Sequence, residues 1–223
     1  CMDDSMTIAA VSPEGTYIYT YHGPVVESID VSSVESIGEY AFSYCRNLVG
    51  FVLNPEIKEI PKYAFAGCAS LKNINLEGVE TIGEYAFNKC TSLVSVTIPD
   101  SVTVIEEGTF ERCNNLLSVT IPDSVTTLMQ GVFYNCTSLV SVKLPKDITI
   151  ISSSLFYNCN ALASIEIPSG VEMLNDSCFY GCNSLSSINI PQGVTTISTY
   201  SFNGCSSLKN ITSLRATAPT IRL

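Results

Sequence analysis

Residues 93–115 read LVSVTIPDSVTVIEEGTFERCNN, and the three segments that follow repeat this pattern with few changes. They begin at Leu116 (LLSVTIPDSVTTLMQGVFYNCTS), Leu139 (LVSVKLPKDITIISSSLFYNCNA) and Leu162 (LASIEIPSGVEMLNDSCFYGCNS). A period this regular predicts a solenoid, because each unit can bury its apolar face only against neighbouring copies of itself. The 223 residues therefore need no division into separate globular domains.

The apolar residues of one repeat divide it into segments. The alternation of Val96 and Ile98 predicts a strand with one buried face, and Pro99 ends it because proline has no amide hydrogen to donate. Residues 102–105 predict a second short extended segment, and residues 108–115 leave room only for a helical or 3₁₀ turn. The predicted inward residues are Leu93, Val96, Ile98, Val102, Ile105, Phe110 and Cys113.

The same pattern extends along most of the chain, with eight repeats over residues 26–207. Their equivalent phenylalanines are expected to stack in one interior column: Phe42, Phe65, Phe87, Phe110, Phe133, Phe156, Phe179 and Phe202. Residues 1–25 hold two β-prone runs around the turn sequence Ser-Pro-Glu-Gly, which predicts a β-hairpin cap over the open end. Residues 208–223 predict a partial repeat and an exit segment over the last coil. The predicted fold class is an α/β-type, β-dominated solenoid of coils of 22 or 23 residues.

Eight of the ten cysteines share one position in the repeat: Cys45, Cys68, Cys90, Cys113, Cys136, Cys159, Cys182 and Cys205. An even number of cysteines in a secreted chain is compatible with disulfides, but stacked parallel coils hold equivalent side chains ~4.8 Å apart and parallel. A disulfide needs Cβ atoms ~3.5–4.5 Å apart that face each other. The pattern therefore favours a column of buried, reduced thiols that pack as small apolar groups. Cys178 occupies a small core position that other repeats fill with alanine, so we interpret it as a packing residue. It forms the one closely spaced cysteine pair with Cys182, whereas a zinc site needs a second pair of ligands.

The formal net charge of −10 lies in the first half of the chain, because residues 1–115 hold 16 Asp and Glu but 6 Lys and Arg. An acidic surface disfavours nucleic acid and anionic lipid as partners, since both attract basic patches. No apolar run approaches the ~20 residues of a transmembrane helix. Cys1, followed by Met-Asp-Asp, is typical of a mature bacterial lipoprotein whose first cysteine carries the lipid; alternatively, it is simply where the sequence starts. Membrane contact is therefore predicted only through a lipid anchor at Cys1.

The sequence offers no catalytic set. His22 is the only histidine, and it lies in the predicted cap without an acidic or cysteine neighbour. A serine–histidine or cysteine–histidine catalytic arrangement could therefore use only His22 as its base. Gly-x-Ser-x-Gly, His-Glu-x-x-His and phosphate-binding glycine loops are absent from the chain. We expect no enzymatic activity, no cofactor and no bound metal.

The consensus of the eight repeats is L-x-x-I-x-I-P-x-x-V-x-x-I-x-x-x-x-F-x-x-C-x-x, and it resembles the BspA-like, or Treponema pallidum-type, leucine-rich repeat. The resemblance extends from Val26 to Leu214. It implies a right-handed, curved leucine-rich-repeat solenoid on a bacterial surface or secreted protein, where relatives are associated with adhesion to host proteins or other microbes. Two shortened repeats, and Leu155 or Cys178 in the usual alanine position, depart from the pattern and affect packing only.

Two positions of the repeat carry tyrosines. Tyr40, Tyr63 and Tyr85 lie two residues before phenylalanine, and Tyr134, Tyr157 and Tyr180 lie directly after it. Rings stacked on an exposed edge are candidate contacts for a protein or a sugar; alternatively, they pack over the turn and shield its backbone. The outward strand positions carry mostly serine, threonine and asparagine, which lack the side chains that dominate protein interfaces.

The sequence thus predicts a non-enzymatic module for protein interaction and adhesion, either extracellular or held at the cell surface as an outer-membrane lipoprotein. The expected partner is a protein, such as a host extracellular matrix or plasma protein, and a glycan is a second candidate. The alternative function is a structural spacer that presents another domain.

Overall fold

The computed structural model describes residues 28–30, 34–214 and 219–221, and the predicted cap with Cys1 and His22 lies outside them. No helix within these ranges is long and apolar enough to cross a membrane. The described backbone forms a stack of coils built from short strands, all paired in parallel. The strands are β1 (Ser28–Asp30), β2 (Gly50–Val52), β3 (Glu59–Ile60), β4 (Thr81–Ile82), β5 (Ser95–Thr97), β6 (Val104–Ile105), β7 (Ser118–Thr120), β8 (Thr127–Leu128), β9 (Ser141–Lys143), β10 (Ile150–Ile151), β11 (Met173–Leu174), β12 (Ser187–Ile190), β13 (Thr196–Ile197), β14 (Asn210–Ser213) and β15 (Thr220–Ile221).

The strands lie in two sets of parallel sheets. One set has the orders β1-β2, β5-β7-β9 and β12-β14, and the other has β3-β4, β6-β8 and β10-β11-β13-β15. Paired residues have the spacing of the sequence repeat: Val96 lies opposite Val119, and Ile60 lies opposite Ile82. Equivalent residues of successive repeats therefore stack on one another, which confirms the predicted solenoid.

The core confirms the predicted inward residues. Leu93, Val102, Ile105, Phe110 and Cys113 are fully buried, and Val96 and Ile98 are nearly so. The eight phenylalanines form one column, with neighbouring ring centroids 5.2–5.9 Å apart and ring planes within 13° of parallel. Burial of each such side chain stabilises the fold by ~1.5–3 kcal/mol, so the column is a main source of stability.

The end of the described chain forms two short strands against the preceding coil. β14 pairs with β12, and β15 pairs with β13. Ile211 in β14 is 53% exposed, and Leu214 beyond it is 65% exposed. Phe202, the last ring of the column, is half-buried where the rings before it are buried.

The segment around each phenylalanine differs from the predicted helical or 3₁₀ turn. It consists of successive hydrogen-bonded turns, and the described residues contain no helix there. The N–H groups of Ala41 and Ser43 donate to carbonyl oxygens three residues earlier in their own coil. The N–H group between them, that of Phe42, donates to the Ala64 oxygen of the next coil across 2.8 Å. A helix would direct every N–H group along its own axis, whereas here every second group joins two coils.

Left-handed residues produce this alternation. In every coil from Phe42 to Phe202, the residues two before and two after phenylalanine have φ between 54° and 75°. Glycine adopts this conformation without strain, but most of these positions hold other residues, for which it costs ~1–2 kcal/mol. The hydrogen bonds between coils offset that cost. A regular helix is excluded because two left-handed residues interrupt each turn.

The cysteine column consists of reduced thiols, as predicted. From Cys68 onwards, the described cysteines are free thiols. From Cys68 onwards, each thiol of the column donates to the carbonyl oxygen of the phenylalanine in the preceding coil, at 3.0–3.2 Å. Burial raises the pKa of these thiols, and it raises the pKa of Cys178 to about 12. The thiols therefore stay protonated and act as small apolar groups that also satisfy a carbonyl.

Candidate interaction surface

The turns around the phenylalanine column form one long side of the solenoid, which we call the turn face. It carries both sets of predicted tyrosines, each as a continuous stack. In the first ladder, Tyr40, Tyr63 and Tyr85 stack with centroids 4.9 and 5.0 Å apart. In the second ladder, Tyr134, Tyr157 and Tyr180 stack at 4.6 and 4.5 Å. All four ring pairs lie within 12° of parallel, so both ladders are ordered before any partner binds.

The first ladder occupies left-handed backbone positions. Tyr40, Tyr63 and Tyr85 have φ values of 60°, 56° and 54°. Glycine stands at the same position in the next two coils, as Gly108 and Gly131. A tyrosine there carries strain that glycine avoids, and ring stacking of ~0.5–1.5 kcal/mol per pair only offsets it. Non-glycine residues adopt the same conformation in the turns of every coil, so the strain belongs to the fold and does not single out these tyrosines.

Side-chain contacts fix the rings of the first ladder. The Tyr85 hydroxyl donates to Glu107 in the next coil, and its ring lies over Gly108, where an added Cβ would come within 2.2 Å of it. Partial burial and the hydrogen bond to Glu107 raise the pKa of Tyr85. The Lys62 amine pairs with Glu84 and lies 5.6 Å from the centre of the Tyr63 ring.

The second ladder is half-buried along its length. Each inner ring face is covered by a neighbouring ring, so the middle tyrosine, Tyr157, offers only its edge and hydroxyl. Partial burial and its two tyrosine neighbours raise the pKa of Tyr157. Tyr134 and Tyr180 at the ends each keep one face that no other ring of the ladder covers. The tyrosines thus shield the turns and also present exposed edges, and their role in binding stays a prediction.

A depression of about 240 Å³ lies where the first ladder ends and the second begins. Gly131 forms its floor, because an added Cβ there would have no neighbour closer than 3.6 Å. The depression is lined by Tyr85, Glu107, Gly108, Glu111, Arg112, Gln130, Gly131, Tyr134 and Ser154. A second groove, of about 370 Å³, runs beside the first ladder and includes Tyr40, Tyr44 and Tyr63.

The side chains that line the depression include two carboxylates and one guanidinium, a net charge of −1. The Arg112 Nε lies 3.5 Å from Glu111 Oε1. Partial burial raises the pKa of Glu111, while Arg112 and Lys89 oppose that rise. Glu107 contributes the other carboxylate and accepts the Tyr85 hydroxyl. In the described residues, no group of three or more His, Cys, Asp and Glu side chains could hold a metal ion.

The side of the solenoid that holds β5, β7 and β9, which we call the strand face, carries an apolar column that the sequence pattern did not predict. Val94, Leu117 and Val140 are 41%, 49% and 49% exposed, and backbone hydrogen bonds of 3.1 and 2.9 Å join them one above the other. They flank the polar outward positions of β5, β7 and β9. The signal in the sequence is a second apolar residue after the leucine that opens three successive repeats. The repeat consensus specifies only the inward positions, so it does not include this residue.

Comparison with known proteins places these features in a family. The profile of the BspA type leucine-rich repeat region matches residues 16–140 and 128–220, in six copies. A leucine-rich cell surface protein from Faecalibacterium prausnitzii A2-165 is 31% identical to the chain, with a TM-score of 0.60. The match covers 84% of the chain but 59% of that protein, so the chain spans under two thirds of this relative's length. No curated protein sequence matches the chain.

Two more distant structures share the fold. The leucine-rich repeat protein of T. pallidum is 21% identical, with a TM-score of 0.60, and the match covers 97% of this chain and 86% of that one. A leucine-rich repeat protein from Eubacterium ventriosum ATCC 27560 is 23% identical, with a TM-score of 0.55, and the match covers 85% and 60% of the two chains.

Proposed function

The chain belongs to the BspA-type leucine-rich repeat family, and we propose that it is a cell-surface or secreted adhesion module that binds other proteins through its turn face. Solenoids of this kind are interaction scaffolds, because stacked repeats create long continuous surfaces. The description of the F. prausnitzii relative as a cell surface protein supports the location. The partner class that we propose is a host extracellular matrix or plasma protein.

The two tyrosine ladders are the observation that supports this proposal most directly. Tyrosine is enriched among the residues that dominate binding energy at protein interfaces. The rings are already stacked at 4.5–5.0 Å, so a partner would order few side chains and binding would lose little conformational entropy.

A binding assay with matched variants tests the proposal. Purified extracellular matrix and plasma proteins are immobilised, and binding of the chain is followed by biolayer interferometry. The triple variant Tyr134→Ala, Tyr157→Ala and Tyr180→Ala should weaken binding at least tenfold, which equals ~1.4 kcal/mol. Its circular dichroism spectrum should stay unchanged, because the rings lie outside the phenylalanine core.

The control variant changes the other face, with Val94→Ser, Leu117→Ser and Val140→Ser. It removes the same number of partly exposed side chains and should leave binding unchanged. If this variant weakens binding and the tyrosine variant does not, the strand face is the interface and the turn-face proposal is wrong. A wild-type chain that binds no protein of the panel contradicts the proposed partner class.

A further inference from the structure

We propose that the depression between the two tyrosine ladders is a binding subsite for one residue of a neutral glycan. This is a second ligand class at a separate place on the turn face, and it does not depend on the protein partner proposed above. Three features point to it: the glycine floor, the uncovered face of Tyr134, and the mixed set of hydrogen-bonding groups on the walls.

The glycine floor makes room for a ligand. Gly108 and Gly131 stand where the three preceding coils carry tyrosine and the two following coils carry Ser154 and Ser177. The Tyr85 ring covers Gly108, so the open floor lies at Gly131. The missing side chain at Gly131 leaves space in the depression, because an added Cβ would meet only the Tyr134 Cβ, at 3.6 Å.

Tyr134 provides an aromatic platform. One face of its ring stacks on Tyr157 at 4.6 Å. The coil on its other side has Glu111 in place of a tyrosine, and both residues line the depression. The second face of Tyr134 is therefore turned towards the depression. A pyranose ring has an apolar C–H face that packs on such a platform, as aliphatic groups pack on aromatic faces elsewhere.

The polar walls fit hydroxyl groups better than a charged ligand. Glu107 and Glu111 offer acceptors, Arg112 offers donors, and Gln130 offers both. The two carboxylates disfavour an anion, and the Arg112 guanidinium beside Glu111 opposes the binding of a cation. A sugar hydroxyl both donates and accepts, so it can bridge these groups.

The size of the depression limits the ligand to one sugar ring. Its volume of about 240 Å³ lies below the ~300–1,000 Å³ of pockets that enclose drug-sized molecules. We therefore expect weak binding of a single glycan chain, strengthened where several copies of the protein meet several glycans on one surface.

A glycan array with neutral, sialylated and sulfated oligosaccharides tests the proposal, followed by saturation-transfer NMR on the best neutral probe. The variant Gly131→Asn fills the floor, and asparagine tolerates the left-handed backbone that Gly131 adopts. It should reduce neutral-glycan binding at least tenfold. Ser177→Asn is the matched control, because it places the same side chain at the same left-handed position two coils away, outside the depression. It should leave binding unchanged.

The outcomes separate this subsite from the protein interface. Absence of neutral-glycan binding, preference for charged glycans, or equal binding by Gly131→Asn and the wild type would overturn the proposal. Loss of protein binding in Gly131→Asn without any glycan binding would assign the depression to the protein interface. Both variants keep the two tyrosine ladders intact. If the glycan proposal is disproved, the proposed protein binding is still tested separately by the triple tyrosine variant.

Discussion

The thiol of Cys113 donates a hydrogen bond to the carbonyl oxygen of Phe87, 3.2 Å away in the preceding coil. The same oxygen accepts the N–H of Cys90 at 3.1 Å, so it joins its own turn to the next coil. All three residues are fully buried, and water cannot replace either bond. The cysteine column therefore contributes to the hydrogen bonding between coils as well as to packing.

Cys113→Ala should lower the free energy of unfolding by ~1–3 kcal/mol, because it removes a buried sulfur and leaves a small cavity next to the carbonyl of Phe87. Urea unfolding followed by circular dichroism measures the change. Cys205→Ala is the control, since Cys205 makes the same bond to Phe179 but is only half-buried. Its loss should be smaller, and equal losses would contradict the burial argument.

The free energy of unfolding should fall as pH rises above ~8.5, the ordinary pKa of a thiol. Burial raises the native pKa of the thiols, so they stay protonated in the folded chain while those of the unfolded chain ionise. The stability they contribute is complete below ~8.5 and is lost as pH rises towards the native pKa. For Cys178 this window ends at about pH 12.

Urea unfolding at pH 7, 8, 9 and 10 measures this slope. Cys178→Ala should reduce it by up to ~1.4 kcal/mol per pH unit, the effect of one proton. A wild-type stability that does not change between pH 8 and 10 would contradict the raised pKa values.

Thiol counting should find nearly all ten cysteines reactive in denaturant, since no disulfide is expected and the described thiols from Cys68 onwards are free. In the native protein at pH 8, Cys205 should react before Cys113 and Cys136, because it is half-buried and they are fully buried. Alkylation followed by peptide mass spectrometry gives both results. A low count in denaturant would mean that disulfides form.

Tyr63→Ala should destabilise the protein by ~1 kcal/mol more than Tyr63→Gly. Both variants lose the stacks with Tyr40 and Tyr85, but glycine also relieves the left-handed backbone at φ 56°. In most positions glycine is the more harmful replacement, so this reversed order is diagnostic. Thermal unfolding of the two variants measures it, and the usual order would show that the strain is absent.

Gly83→Ala should cost ~1–3 kcal/mol, because an added Cβ would lie 2.7 Å from the backbone nitrogen of Lys62. Gly38 occupies the same position of the repeat, and an added Cβ there meets nothing within 4 Å. Gly38→Ala is therefore the control and should leave stability unchanged or slightly higher. Chemical unfolding compares the two, and an equal effect would refute the close approach at Gly83.

Much of the fold could be predicted from the repeat, because a fixed spacing places equivalent residues over one another in any parallel stack. Leu93, Phe110 and Cys113 could be assigned to the core for that reason. The turn could not be predicted, because its hydrogen bonds join residues such as Phe42 and Ala64 in different coils. Tyrosine, lysine and arginine at left-handed positions give no local signal of such a backbone.

The candidate surfaces could also be predicted only in part from the sequence. The sequence showed which tyrosines share a position, and stacking followed from the period. It did not show that Tyr85 and Tyr134, which belong to different positions, line one depression. It also did not show that Val94 and its two equivalents are exposed, since either side of a short strand can hold an apolar residue.

By itself, the sequence determined the period, the register between coils, the inward residues and the reduced cysteine column. These follow from spacing, which a linear chain records completely. Only the tertiary structure decided the left-handed turns, the end of the first ladder over Gly108 and the open floor at Gly131. They depend on contacts between side chains and backbone of adjacent coils, where the presence or absence of one ring changes the shape of the surface.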